Sequence, residues 1–268
     1  MFPIKDSIRI PRAPVVTYLI ILINTAVFLY QNSLGDRDSY LFSLEHALVP
    51  LRYFDRQWAA SVGFSSNDYW PFITGFFMHG GWWHLILNMW SFFIFGASLE
   101  GRLGRIPFLI FYLLCGVIAS ATHVYFNPGS TVPVLGASGA IAGIMGAYAT
   151  TFPRARVTLL IPIVIIPFFF KIPALAFALI WFLLQFVQGF IELASPTIGG
   201  GIAWWAHIGG FLAGVALIPL WRFGRDETYD EEEVRQNPLR AFEPAPAASV
   251  LDGGSDSPGP THKRGPWG

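Results

Sequence analysis

Residues 135–143 read Leu-Gly-Ala-Ser-Gly-Ala-Ile-Ala-Gly and open a short apolar segment in which glycine and alanine dominate. Small residues at positions i and i+4, such as Gly139 and Gly143, allow two membrane helices to approach closely. The pattern therefore predicts a helix that is buried among other helices. Ser138 lies near its start, where a hydroxyl serves either as packing in such an interface or as a nucleophile.

The composition of the chain is that of a membrane protein. Apolar residues make up 53% of the 268 residues and charged residues only 13%, against about a quarter charged in a typical soluble domain. The formal net charge is zero, so the charge gives no indication of nucleic-acid binding. The single cysteine, Cys115, falls within an apolar run and is interpreted as packing.

Apolar runs of about 20 residues, long enough to cross a bilayer, recur along the chain. They predict an all-α polytopic membrane protein, a bundle of six transmembrane helices at residues 15–33, 77–99, 106–126, 135–151, 172–193 and 201–221. Residues 157–170 are equally apolar but too short to span, and Pro162 and Pro167 disfavour a helix there. We predict an interfacial or re-entrant connection for this stretch.

The distribution of basic residues predicts the orientation in the membrane. They precede the first span and follow the second, fourth and sixth: Lys5, Arg9, Arg12, Arg102, Arg105, Arg154, Arg156, Arg222 and Arg225. This bias predicts a multi-pass protein with both ends inside and a long outer first loop. We expect it to lie in a bacterial plasma membrane. We expect a cytoplasmic N-terminus over 1–14, a membrane domain over 15–222 and a disordered cytoplasmic tail over 223–268.

With this orientation the second, fourth and sixth spans all begin at the outer face. His84 and Asn88 then lie early in the second span, Ser138 early in the fourth and His207 early in the sixth. At 1.5 Å of rise per residue, each lies about 5–10 Å below the start of its helix. Four polar side chains are thus predicted to lie at one depth.

His207 is the feature that most favours an enzyme, because ionisable residues within spans are rare and usually functional. Gly210 and Gly214 follow on the same helix face and would let the sixth span pack closely on the fourth. A Ser138–His207 hydrogen bond would activate the hydroxyl. The predicted spans contain no interior Asp or Glu, so we expect a dyad whose imidazole is oriented by packing or by a neutral hydrogen bond.

The remaining polar residues indicate a function less specifically than His207 does. His84 and Asn88 share a helix face, where they either stabilise a helix interface or donate hydrogen bonds to an oxyanion. His79 and His123 lie near the outer interface and are expected to be solvated or to belong to its aromatic belt. The spacing of the histidines does not match a metal site, and no cofactor is indicated.

Several motifs together make the chain resemble the rhomboid family of intramembrane serine proteases over about residues 70–221. The motifs are His84-Leu-Ile-Leu-Asn88, Gly136-Ala-Ser-Gly139, Ala206-His-Ile-Gly-Gly210 with Gly214, and Glu100-Gly-Arg-Leu-Gly104. The resemblance implies Ser138 as nucleophile, His207 as general base, and an oxyanion hole of His84, Asn88 and the Ser138 N–H. It also implies the lipid bilayer and single-span membrane proteins as partners, the latter cut in or beside the transmembrane segment.

The chain departs from the family pattern at two positions. The family often has Trp-Arg in the first loop, whereas here Trp70 is followed by Pro71. Many members place an aromatic residue one turn after the serine, beneath the histidine, and here that position is Ala142. Neither change removes a reacting group.

Two other functions were weighed. A catalytically silent rhomboid-like protein that binds membrane clients would lack the serine or the histidine, and this chain has both. A small transporter would have internal repeats and polar groups at the membrane midplane, but the polar cluster is predicted near one face. The sequence does not predict an oligomeric state.

Overall fold

The chain is described by a computed structural model that covers residues 2–10, 12–163, 166–194, 202–221 and 229–230. The helices are α1 (Val15–Ser33), α2 (Asp36–His46), α3 (Arg56–Ser61), α4 (Pro71–Thr74), α5 (Trp82–Leu103), α6 (Arg105–Phe126), α7 (Ser138–Thr151), α8 (Ala174–Ala194) and α9 (Trp204–Leu217). The strands are β1 (Phe2–Lys5), β2 (Ile8–Arg9), β3 (Arg156–Ile163), β4 (Ile166–Pro173) and β5 (Tyr229–Asp230). Helices therefore dominate the described chain.

Four helical segments of the described residues are long and apolar enough to cross a bilayer: Val15–Ser33, Arg105–Phe126, Ala174–Ile191 and Trp204–Trp221. They coincide with the first, third, fifth and sixth predicted spans. Helix α5 is also 22 residues long, but its last turn is charged. Helix α7 has 14 residues, most of them buried, as expected for a helix surrounded by others.

Helices α5 and α7 begin later than predicted. Before α5 lies a 3-10 turn at Gly75–Phe77, followed by Met78 in an extended conformation, so the helix starts at Trp82. Before α7, Gly136 adopts a φ of 119°, which an α-helix cannot contain. The start of α7 is therefore set by a local glycine conformation rather than by the apolar pattern, whereas α5 starts after the extended residues that follow the 3-10 turn.

The connection between α7 and α8 is a β-hairpin, which corrects the prediction of an all-α fold. Strands β3 and β4 pair antiparallel along their length, and β1 adds to the other edge of β3. Val157 and Leu159 of β3 are fully buried. Val, Ile and Phe favour strands, and strand pairing satisfies backbone groups where Pro162 and Pro167 prevent a helix.

The N-terminal segment packs along α5. Trp90 Nε1 donates to the Pro3 carbonyl oxygen at 2.7 Å, and Ser98 Oγ donates to Asp6 Oδ2 at 2.6 Å. The two partners on α5 are eight residues apart, which is about 12 Å along the helix. The N-terminal segment that contains β1 therefore runs beside the middle of α5.

Most of the predicted tail, residues 223–268, lies outside the described residues. Within it, Tyr229–Asp230 pair antiparallel with Ile8–Arg9. The disorder predicted for the tail stays a prediction.

The first connection, between α1 and α5, is organised by a buried arginine. Arg52 is 2% exposed, and its guanidinium lies 4.6 Å from the Phe64 ring centroid and 3.7 Å from Asp68 Oδ2. Asp68 Oδ1 in turn accepts from the backbone N–H of Trp70 at 3.0 Å. Arg52 thus provides an ion pair and a cation–π contact within this first connection, in which a proline rather than an arginine follows Trp70.

The charged last turn of α5 caps α1. Glu100 Oε1 accepts from the backbone N–H of Val16 at 2.9 Å, and Oε2 accepts from the N–H of Thr17 at 2.7 Å. Thr17 Oγ1 adds a third hydrogen bond, at 2.8 Å. A carboxylate at a helix N-terminus satisfies amides that the helix leaves without partners. Glu100 therefore joins α1 to α5.

Candidate active site

Ser138 and His207 meet across the interface between α7 and α9. The Ser138 hydroxyl donates to His207 Nε2, with an Oγ–Nε2 distance of 2.8 Å. Ser138 is the first residue of α7 and is half-buried, whereas His207 lies in the first turn of α9 and is buried. A hydroxyl that donates to a neutral imidazole can lose its proton to that ring when the oxygen acts as a nucleophile.

Two glycines of α9 bring its backbone against α7. A Cβ added to Gly210 would collide with the carbonyl oxygen of Gly139, and one added to Gly214 with the carbonyl oxygen of Gly143. No side chain separates the two helices at these points, so the backbones set the distance between Ser138 and His207. The predicted close packing of the two glycine-rich helices is confirmed.

The second ring nitrogen of His207 has a partner that the sequence analysis did not name. His207 Nδ1 lies 2.7 Å from Oε1 of Gln185, a buried residue of α8. Because an amide oxygen can only accept, Nδ1 carries the proton of the neutral ring and Nε2 accepts from Ser138. The neutral hydrogen bond that was expected in place of a carboxylate is made by Gln185.

Two tryptophans flank the imidazole. The ring centroids of Trp181 and His207 are 5.7 Å apart, and Trp204 contacts the same ring edge-on at 6.2 Å. Trp181 and Gln185 are four residues apart on α8 and so share one face of that helix. The aromatic support that Ala142 cannot give therefore comes from α8 and α9.

His84 and Asn88 converge on Gly136, two residues before Ser138. A Cβ added to Gly136 would lie 2.7 Å from His84 Nε2 and 3.8 Å from Asn88 Nδ2. The backbone N–H of Gly80 donates to His84 Nδ1 at 3.4 Å, which leaves the proton of the neutral ring on Nε2. Two N–H donors thus lie beside the start of α7.

The backbone of Ser138 provides a further donor. Because α7 begins at Ser138, its N–H belongs to the first helical turn, whose amides have no intrahelical acceptor. The positive end of the helix dipole lies at the same point and favours negative charge. The arrangement can therefore stabilise an oxyanion that develops next to the hydroxyl.

A cavity of about 1160 Å³ contains the groups described above. Ser138, His207, His84 and Asn88 all line it, and it reaches as far as Phe2 and Pro3 of β1. Since pockets for small molecules typically measure about 300–1,000 Å³, the cavity has room for a stretch of polypeptide.

His79 and His123 are not solvated, which corrects the sequence-based expectation. His79 is fully buried and its ring packs edge-on against that of His84 at 5.0 Å, while His123 is 6% exposed and lines the cavity. The first connection covers this end of the bundle, where Leu48 pairs with Val134. The position of a residue near the end of an apolar run does not show whether a loop from elsewhere in the chain will bury it.

The chain matches the model of a known protein family. The family model described as the rhomboid domain matches residues 66–222, which is more than half of the chain. The matched range contains Ser138, His207, His84 and Asn88.

Curated relatives come from bacteria and from mitochondria. The protein of Bacillus subtilis (strain 168) that is named "Putative rhomboid protease YdcA" is 37% identical over 108 residues, which is 40% of this chain and 53% of YdcA. Rhomboid protein 1, mitochondrial, of Saccharomyces cerevisiae is 30% identical over 148 residues, 52% of this chain and 38% of the yeast protein. The human presenilin-associated rhomboid-like protein, mitochondrial, is 29% identical over 183 residues, 66% of this chain and 42% of the human protein. The chain thus spans about half of these relatives or less.

Proposed function

The chain belongs to the rhomboid family, and on that premise we propose that it is an intramembrane serine endopeptidase with a Ser138–His207 dyad. The observation that carries the proposal is the 2.8 Å hydrogen bond between Ser138 Oγ and His207 Nε2. The name of the relative YdcA, which refers to a rhomboid protease, supports the same activity.

The reaction follows from the geometry. Ser138 Oγ attacks the carbonyl carbon of the scissile peptide bond as its proton passes to His207 Nε2. The negative charge on the carbonyl oxygen is stabilised by His84, Asn88 and the Ser138 N–H. His207 then gives its proton to the leaving amine, and a water molecule, deprotonated by the same imidazole, hydrolyses the acyl-enzyme.

The substrates in this proposal are single-span membrane proteins, cut in or near the transmembrane segment. Two features of the described chain support them. The cavity that contains Ser138 is large enough for extended polypeptide. Helix α8, which contributes Gln185 to the cavity, exposes leucines such as Leu179 and Leu183, as expected of a surface in contact with lipid and with a membrane-embedded substrate.

The membrane arrangement is also part of the proposal. We infer six spans, formed by α1, α5, α6, α7, α8 and α9, with both ends inside and the long first loop outside. The positions of His84, Ser138 and His207 near the starts of α5, α7 and α9 support this, because these helices then run in one direction. The membrane domain over 15–222, the cytoplasmic tail and the plasma membrane of a bacterium remain predictions, since the relatives include mitochondrial proteins as well.

Cleavage of a tagged model substrate with one transmembrane segment, co-expressed with the enzyme, tests the proposal. We expect Ser138→Ala and His207→Ala to abolish the cleavage product, while the exposed Ser61→Ala retains it. A product that is unchanged in either dyad variant would contradict the mechanism. A chain that ends after Arg225 should still cleave, and loss of its product would mean that the tail belongs to the catalytic unit.

A further inference from the structure

We propose that Gln185 is the positioning residue of the dyad: its side-chain amide selects the tautomer of His207 and holds the ring toward Ser138. The inference rests on the proposed function, because it concerns how the proposed general base is kept ready to accept a proton. It brings a third helix, α8, into a site whose reacting groups lie on α7 and α9.

The two hydrogen bonds of the imidazole define one orientation. Nδ1 lies 2.7 Å from Gln185 Oε1 and Nε2 lies 2.8 Å from Ser138 Oγ. If the ring turned over, ring carbons would replace both nitrogens, and both bonds would be lost. If the proton moved to Nε2, that nitrogen could no longer accept from the Ser138 hydroxyl. The amide oxygen of Gln185 therefore favours the one tautomer that can act as a base.

Burial makes this hydrogen bond important. Gln185 and His207 are each 8% exposed, so solvent cannot readily replace a lost partner. A buried donor without an acceptor is costly, and the imidazole would respond by changing tautomer or by rotating. Either response removes the acceptor from the Ser138 hydroxyl.

The surroundings of Gln185 indicate that its inward position is specific. Its chain neighbours Leu184 and Phe186 are exposed, at 53% and 41%. Gln188, one turn further along α8, is exposed as well. A polar side chain that is buried against the apolar surface of a neighbouring membrane helix is expensive unless it has a partner. Gln185 finds its partner in His207, and Gln188 serves as a matched control on the same helix.

The first test compares Gln185→Met with Gln188→Met. Methionine keeps the length of the side chain but removes the acceptor. We expect Gln185→Met to lower kcat about 10- to 100-fold with little change in KM, since each tenfold corresponds to about 1.4 kcal/mol of lost positioning. The rate at which a fluorophosphonate labels Ser138 should fall by the same factor. Gln188→Met should match the wild type in both measurements.

The second test restores an oxygen acceptor with Gln185→Glu. This variant should recover most of the rate lost in Gln185→Met. An ionised carboxylate also favours the charged imidazole, so the loss of activity on the acid side should set in at a higher pH than in the wild type. A purely structural role of the amide would not give this recovery of the rate together with the shift in the pH profile.

The results that would overturn the inference differ from those that would overturn the proposed function. Wild-type kcat and labelling in Gln185→Met would remove the positioning role. So would a Gln185→Glu variant as slow as Gln185→Met with an unmoved pH profile, and so would a change confined to KM. If Ser138→Ala still cleaves in parallel assays, the dyad itself is wrong, whatever Gln185 does.

Discussion

The interface between α7 and α9 and the placement of α8 against α9 are built in different ways. In α7, the residues after Ser138 are buried from Gly139 to Ala149, and glycines of α9 touch its backbone. Helix α8 instead exposes much of its surface, including Leu183, which is 60% exposed. It meets α9 through side chains, as in the stacked pair Phe182 and Phe211 at 4.8 Å.

This difference separates two requirements of the site. The backbone contacts of α7 and α9 set the distance between Ser138 and His207, which leaves little freedom. The orientation and tautomer of the imidazole depend on Gln185, a side chain from the more exposed helix. Changes in the first interface should therefore affect folding and activity together, whereas changes in α8 should cost less stability, and those at Gln185 should affect mainly the rate.

Gly210→Ala should have the largest effect, because the added methyl group collides with the carbonyl oxygen of Gly139. We expect thermal unfolding in detergent to show a loss of about 2–3 kcal/mol. Cleavage should fall about 100-fold or more, since a shift of about 1 Å between reacting groups costs that much. In the control Gly189→Ala on α8, the nearest atom is the flexible end of Ile208 at 3.3 Å, so stability should change little. Equal stability of the two variants would contradict the comparison.

Asn88→Ala tests the oxyanion donors that α5 contributes to the cavity beside Ser138. Removal of one such donor typically lowers kcat by about 10²–10³. The fold should be retained, because Asn88 lies in the wall of the cavity rather than in the contact between α7 and α9. Steady-state cleavage together with a melting curve would check both statements. A normal kcat would remove Asn88 from the oxyanion hole.

Phe182→Ala addresses the side-chain contact between α8 and α9. Loss of the Phe182 ring, which stacks on that of Phe211, should lower the stability by about 1 kcal/mol, which is less than the effect of Gly210→Ala. The exposed Leu183→Ala should leave the melting temperature unchanged. If Phe182→Ala were as destabilising as Gly210→Ala, α8 would be held as tightly as α7.

Asp6→Asn should have the smallest effect and concerns the end of the bundle away from Ser138. Burial raises the pKa of Asp6, although Ser98 and Tyr148 donate hydrogen bonds to it. The folded state therefore holds this proton more tightly than the unfolded chain, so the contribution of Asp6 to stability is lost as the pH rises through its folded pKa. The variant should lack this decline and be at least as stable as the wild type near neutral pH. Melting curves over a pH series check this, and a variant less stable than the wild type at high pH would contradict it.

The close packing of α7 on α9 could be predicted from the sequence, because the residues that indicate it are near one another in the chain. Glycines at i and i+4 in α7 and α9 indicate close approach, and the positions of Ser138 and His207 follow from helix geometry. A glutamine within an apolar span needs a partner, so the sequence also marks Gln185 as a residue that makes a contact between helices. Which partner it finds depends on how α8 packs against α9.

The sheet was missed for a different reason. Residues 157–170 are apolar on both faces, so their periodicity does not distinguish a strand from another buried segment. The third strand, β1, pairs with β3 from more than 150 residues away in the chain, as in the register of Phe2 with Leu160. Pairing over such a separation has no signature in a single sequence. The start of α7 at Ser138 was displaced by the conformation of Gly136, and the start of α5 at Trp82 by a 3-10 turn and the extended residues after it; the apolar pattern records neither.

The most direct test asks whether Ser138 reacts as a nucleophile that His207 activates. Purified protein in detergent is treated with a fluorophosphonate, and the modified residue is identified by mass spectrometry in the wild type and in His207→Ala. We expect the label on Ser138 in the wild type and labelling at least about 100-fold slower in His207→Ala. Labelling of another residue, or equal rates in the two proteins, would contradict the pairing of Ser138 with His207.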